Sequence, residues 1–248
     1  MRFLIDKRVW LLAVVVLVPI SILALRPKPP TPKPLSHLPP VIVWAWERPE
    51  KLDFIDTDKI GVSFLAKTLR LQGDRVINRP RLQPLELAPN TKLIAVVRIE
   101  SDHPDLSETQ LKQTVREITK LSGISVVQID FDATVSQRRF YTDLLKGVRG
   151  RLPSSTTLSI TALASWCAGD QWLEDAPIDE AVPMLFRMGI DERRFQSRPQ
   201  FDAPVCRTSA GVSTDEPITP PAVDRLYIFN PKPWSRDSLN SALEAYRK

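Results

Sequence analysis

The chain has 248 residues, enough for one large domain or two small ones, and carries 34 Lys and Arg against 29 Asp and Glu. Six of the basic residues but one acidic residue fall in the first 40 positions, leaving 28 of each sign in the rest, so a nucleic-acid-binding reading loses its main support and no nucleic-acid partner is expected. Two histidines, His37 and His103, and two cysteines outside any metal-type spacing argue against a histidine-based metal centre, and no cofactor is expected.

Met1 to Arg8 is short and basic, and Val9 to Leu25 is an almost unbroken apolar run of about 17 residues, near the lower length for a membrane-spanning helix. The run exceeds a usual signal-peptide core and lacks a clear small-x-small cleavage site. Residues 1–25 are therefore expected to be a signal anchor or transmembrane helix, with a cleaved signal peptide or a buried core helix as alternatives. Basic residues flank both sides (Arg2, Lys7 and Arg8 against Arg26, Lys28 and Lys33), so charge barely decides orientation. Export of the long C-terminal part is the commoner outcome for such an anchor, which places the domain in the periplasm or outside the cell. Residues 26–40, RPKPPTPKPLSHLPP, read as a Pro-rich linker, a semi-rigid spacer about 45 Å long or a plain disordered one.

From residue 41 to 248 strand and helix patterns alternate. Val41 to Trp46 is a first strand, followed by a short helical turn around Leu52 to Ile55. Val62 to Leu71 and Arg75 to Asn78 flank Gly73-Asp74, a hairpin signal. Leu93 to Glu100 is a core strand, and Ser107 with Gln110 forms a capping-box pattern opening a helix with Leu111, Val115 and Ile118 on one face. Val126 to Asp132 alternates: Val127, Ile129 and Phe131 share one face, Gln128, Asp130 and Asp132 the other. A helix from about Ser136 to Arg149 follows, stopped by Gly150 and Pro153. Further strands are read at Leu158 to Trp166, Ala181 to Met188 (weakened by Pro183), Cys206 to Thr214 and Leu226 to Asn230, and a terminal helix from Ser235. Eight strand candidates alternating with helices predict an α/β fold, a small irregular (β/α)8 TIM-like barrel. A doubly wound sheet is the runner-up, but it wants a Gly-rich first turn, and the chain has eight glycines with none placed there.

In such a barrel, functional groups gather at the C-terminal strand ends. Those ends would carry Trp44, Trp46, Arg98, Glu100, Gln128, Asp130, Asp132, Trp166, Phe186, Arg187, Asp215, Glu216 and Asn230. Buried carboxylates are costly unless they line a wet, shaped site. Paired carboxylates serve glycoside hydrolysis, and tryptophan faces stack on sugar rings. Asp132 is the expected proton donor, its pKa raised by burial and by Asp130, with Glu100, Asp215 or Glu216 as partner acid. Trp44, Trp46, Arg98, Gln128, Trp166, Arg187 and Asn230 would bind substrate. Each has a blander reading: one of Trp44 and Trp46 as barrel filling, Arg98 with Glu100 or Asp130 as a structural ion pair. Cys167 and Cys206 are either a disulfide between loops or two buried thiols.

The stretches VVQIDFDA, TLRLQGD, LSITALASW, GVSTDEP and FNPKPWS resemble a bacterial domain family of unknown function with a predicted glycosidase-like barrel, over nearly all of residues 41–248. More distantly, Ile129-Asp130-Phe131-Asp132 is similar to the Asp-x-Asp-x-Glu signature of chitinase-type glycosidases. Asp130 and Asp132 match its aspartates, whereas Thr134 stands where that signature has its catalytic glutamate. The clustered acids and tryptophans at the strand ends, behind the N-terminal anchor, lead to the expectation of an envelope-anchored barrel acting on a polysaccharide. A non-catalytic barrel that binds a glycan or a partner at the cell surface is the alternative, and a purely structural envelope component a third.

Overall fold

The computed structural model describes residues 35–189, 201–216 and 218–246. The expected anchor at 1–25 and the linker as far as residue 34 lie outside them. Among the described residues no helix is long and apolar enough to cross a membrane.

Eight parallel strands close into a ring in the order β1 (Val41–Ala45), β3 (Ile60–Gln72), β6 (Leu93–Ser101), β7 (Val126–Asp130), β8 (Thr157–Leu163), β9 (Glu180–Met184), β10 (Ser209–Ser213) and β11 (Arg225–Phe229), with β11 pairing back to β1. All eight predicted strands are present, and the architecture is a closed α/β barrel. Alternation explains why. On β6 and β7, Ile94, Val96 and Val126 join Ile42, Trp44 and Tyr227 in one apolar cluster inside the ring. Val97, Ile99, Val127 and Ile129 join Val115, Ile118, Tyr141 and Leu144 in another, under the helices. A strand buried on both faces must be apolar on both, which is how a barrel strand reads.

Among the described residues the helical layer is uneven. Helix α1 (Glu108–Thr119), with the predicted Ser107–Gln110 capping box, joins β6 to β7, and α2 (Arg138–Arg149) joins β7 to β8. Between β8 and β9 there is α3 (Ala164–Cys167), a single turn, and α4 (Arg236–Ala245) closes the β1 side with Leu239 and Ala242. On the β3 side the helix is replaced by the antiparallel strand β4 (Arg75–Pro80), reached through Gly73 at φ +54°, a conformation suited to glycine. The helical turn expected around residues 52–55 is instead β2 (Glu50–Leu52), which pairs with β5 (Leu85–Leu87). Its burial alternates, with Glu50 and Leu52 inward and Lys51 out, so the local period is two rather than 3.6.

Pro183 does sit in a barrel strand. The β9–β10 pairing there is reduced to Gly211 opposite Met184, together with Leu185 N–H donating to the Gly211 carbonyl at 2.8 Å. A Cβ on Gly211 would lie 2.8 Å from Met184 Sδ, so any larger residue at this seam would displace the Met184 side chain.

The lower end of the barrel holds a charged core. Buried Glu180 accepts hydrogen bonds from Ser159 Oγ (2.7 Å), Tyr227 Oη (2.8 Å), Arg225 (3.1 Å) and Ser209 Oγ. Arg225 also donates to the carbonyls of Leu35 (2.6 Å) and Pro39 (3.3 Å). Leu35 and Leu38 are buried in the interior cluster. Residues 35–40 are therefore packed domain rather than spacer, because the two leucines within the proline run cap the barrel. On the flank, Cys167 and Cys206 form a disulfide with Cα atoms 5.8 Å apart.

Candidate active-site cavity at the barrel mouth

At the C-terminal ends of the strands a cavity of about 420 Å³ is lined by Trp44, Trp46, Arg98, Asp130, Asp132, Phe186, Arg187 and Asn230 from the residues expected there, and by Arg48, Leu163, Met184, Ser213, Phe229 and Pro231. Asp130 arrives there because the alternation of β7 turns it inward, away from the α1–α2 layer, and Asp132 follows two residues after the strand ends. Asp130 lies beside Arg98 in the β6–β7 register and accepts a 2.7 Å hydrogen bond from Thr161 on β8. Burial pushes the Asp130 carboxyl up to about 6; the Thr161 hydroxyl opposes the shift, Asp132 adds to it, and Arg98 again opposes. Behind the pair, the Tyr141 hydroxyl is raised well above its ordinary value, by burial first and then by Asp130 and Asp132.

This differs from the expectation that burial would act on Asp132. Asp132 is exposed, so the burial invoked for it belongs to Asp130. The strand ends at Asp130, and Asp132 lies two residues beyond it.

Aromatic rings form the opposite wall. Trp44 is buried and stacks on Phe229 with centroids 4.2 Å apart, and Phe186 packs on Phe229 at 4.7 Å. Trp46 is only partly buried and carries the Arg98 guanidinium 5.1 Å from its ring centroid. Trp44 is thus the barrel filling and Trp46 the accessible ring. Arg48, which the sequence did not single out, is a strap: it binds Glu50 at 2.7 Å and the carbonyls of Asn230, Pro231 and Lys232. The three carbonyls lie more than 180 positions away, so no local pattern betrays the strap. Phe229 and Ser213 were also missed, although the alternation of β11 and β10 could have found them.

The remaining predicted residues sit elsewhere. Glu100 lies between Arg98 Nε and Arg70, each 3.2 Å away, outside this cavity. Gln128 is fully buried deeper in the barrel, bonded to Ser159 (2.9 Å) and Ser63 (3.3 Å), because it precedes Asp130 by one inward pleat. Trp166 does not reach the mouth: strand β8 gives way to α3 at Ala164, and its ring packs on Tyr141 and Trp172 in the outer layer. Asp215 accepts from Ser213 Oγ. Glu216 holds Arg187, accepting from its backbone N–H at 2.7 Å and fixing a residue whose φ is +52°. Asn230 accepts from Thr214 at 2.7 Å. Among the described residues, no group of three or more His, Cys, Asp or Glu could hold a metal ion.

Fold and cavity together define a closed α/β barrel with a carboxyl pair at its mouth. Residues 90–182 match the model of a domain of unknown function (DUF3142). That stretch runs from ahead of β6 into β9 and includes Arg98, Asp130 and Asp132, whereas Trp46, Arg187 and Asn230 lie beyond it. Comparisons with curated proteins and with solved structures returned no match.

Proposed function

We propose that the mouth is the active site of a carbohydrate-acting barrel, with Asp130 rather than Asp132 as general acid. The observation that carries this is a carboxyl raised to about 6 in a cavity with an accessible tryptophan on its far wall. An acid that keeps its proton near neutral pH can deliver it to a glycosidic oxygen. Asp132, two residues on, has its Cα within about 7 Å of that of Asp130 and lines the same cavity, which makes it the partner carboxylate. Arg98 is held between Trp46 and Glu100, where it orients bound hydroxyls and limits the rise in Asp130. Glu100, Asp215 and Glu216 are engaged by Arg70 and Arg98, by Ser213 and by Arg187, which makes them supporting rather than reacting groups.

An oxidising location, the periplasm or the cell exterior, is supported by the Cys167–Cys206 disulfide. Attachment to a membrane rests on the apolar run at Val9 to Leu25.

The test is a glycan array with a parallel hydrolysis screen on the protein and its Asp130→Asn and Trp46→Ala variants. Turnover that declines above about pH 6 and vanishes in Asp130→Asn is expected. Turnover that survives Asp130→Asn defeats the assignment. A second reading, a barrel that binds glycan without cleaving it, is favoured by Thr134. This residue is exposed, bonds Ser136 at 3.0 Å and cannot supply the acid that a chitinase-type site has there. Retention on the array with no turnover by the unmutated protein is its signature.

A further inference from the structure

A second cavity of about 500 Å³ lies against the first and shares two side chains with it, Arg98 and Asp132. Its other walls come from the end of β6 and the loop after it (Glu100 to Pro104) and from Phe131, Thr134 and Gln137. Neither shared residue forms a high partition: Asp132 is exposed, and the Arg98 side chain is 36% accessible. The two hollows therefore meet over a low saddle, with Asp130 and Asp132 beside it rather than at a dead end. Their characters differ. The first presents several aromatic faces, whereas the second presents Ser101, Asp102, His103 and Thr134, which are exposed or half-exposed hydrogen-bonding groups, beside Ile99, Pro104 and one buried ring, Phe131. Together they approach the upper size of small-ligand pockets, about 1,000 Å³.

From this we infer that the site takes an internal stretch of a linear glycan rather than a terminal sugar: one segment stacked in the aromatic lobe, the next hydrogen-bonded in the polar lobe, and the linkage between them over the saddle. The inference rests on the reading of the mouth as a carbohydrate site and adds its direction and length. Ring stacking needs one planar partner per sugar, which the first lobe has. A second sugar without an aromatic platform is held by hydroxyl contacts, which the second lobe offers. The placement also lays the linkage beside the carboxyl pair, so cleavage would fall within the chain.

The experiment measures the affinity of the protein for two ladders, β-linked glucose and β-linked N-acetylglucosamine oligosaccharides, each from the monomer upward. It uses the unmutated chain and the Asp102→Trp and Thr134→Trp variants, whose bulk fills the polar lobe from exposed positions; circular dichroism and melting confirm their folding. Expected is an affinity that climbs by about tenfold once both lobes are occupied, the yield of two ordinary hydrogen bonds. That climb should be lost in both variants while the shortest retained oligomer binds as before. Equal affinity at every length, or a climb that survives both variants, overturns the two-lobed site but leaves the mouth intact as a sugar site. No binding of any length, together with an empty array, overturns both readings.

Discussion

At the lower end of the barrel Glu180 is surrounded by donors from β8, β10 and β11, whereas at the mouth Asp130 has one hydroxyl, from Thr161. Both are acids pointing into the same ring of strands. Glu180 faces an arginine that is itself fastened to the carbonyls of Leu35 and Pro39, so charge and lone pairs are all answered. Asp130 shares its guanidinium neighbour with Glu100 and Trp46 and retains its proton to about 6. The supply of donors, more than depth, separates a structural acid from a reactive one in this barrel.

The comparison breaks most readily at the lower end. Glu180→Ala strands Arg225 and three hydroxyls without their acceptor, and a loss of about 5 kcal/mol in urea unfolding is expected. If stability stays within about 1 kcal/mol, that network is not what holds the lower end. Reducing the disulfide, which closes a loop of 39 residues on the flank, should cost about 4 kcal/mol and shift both ends alike, leaving the titration of Asp130 where it was.

Asp130→Asn should act with the opposite sign. The folded state holds this proton up to about 6 and the unfolded chain releases it near 3.8, so the folded protein binds more protons between those values. Its stability therefore falls as pH rises across that window. The asparagine variant should lack that slope and gain on the order of 2 to 3 kcal/mol at neutral pH, read from denaturation at several pH values. Smallest is Thr161→Val, which removes the main influence holding Asp130 down. The Asp130 titration, followed by carboxyl NMR, should move above about 6 at a stability cost of about 1 kcal/mol. A downward move contradicts the assignment of that hydroxyl.

Much of this could be read from local pattern, and what could not has physical reasons. The strands were legible because double-sided burial demands apolar runs, and Asp130 was legible because a period of two assigns a face. The pattern carries no depth, so Gln128 was placed at the mouth although it belongs one pleat, roughly 7 Å, below. It carries no strand ending either: Trp166 follows β8 in sequence, but one turn of helix at Ala164 swings it to the outer layer. The burial of Asp130 instead of Asp132 is decided by where β7 stops. The roles of Glu180, Arg225 and Arg48 come mainly from partners 21 to 190 positions away, beyond the reach of any spacing rule. Leu35 and Leu38 were lost among prolines that resemble a spacer whatever their neighbours do.

The thin join at Pro183 and Gly211 has a mechanical consequence. A ring of strands has no loose border, yet one stave here is fastened to the next at little more than a point. That point adjoins Met184 and Phe186, on the wall of the cavity. Amides along it should trade hydrogen with solvent ahead of those between β6 and β7, and a bulky guest would be admitted by parting these two staves while the rest of the hoop stays shut.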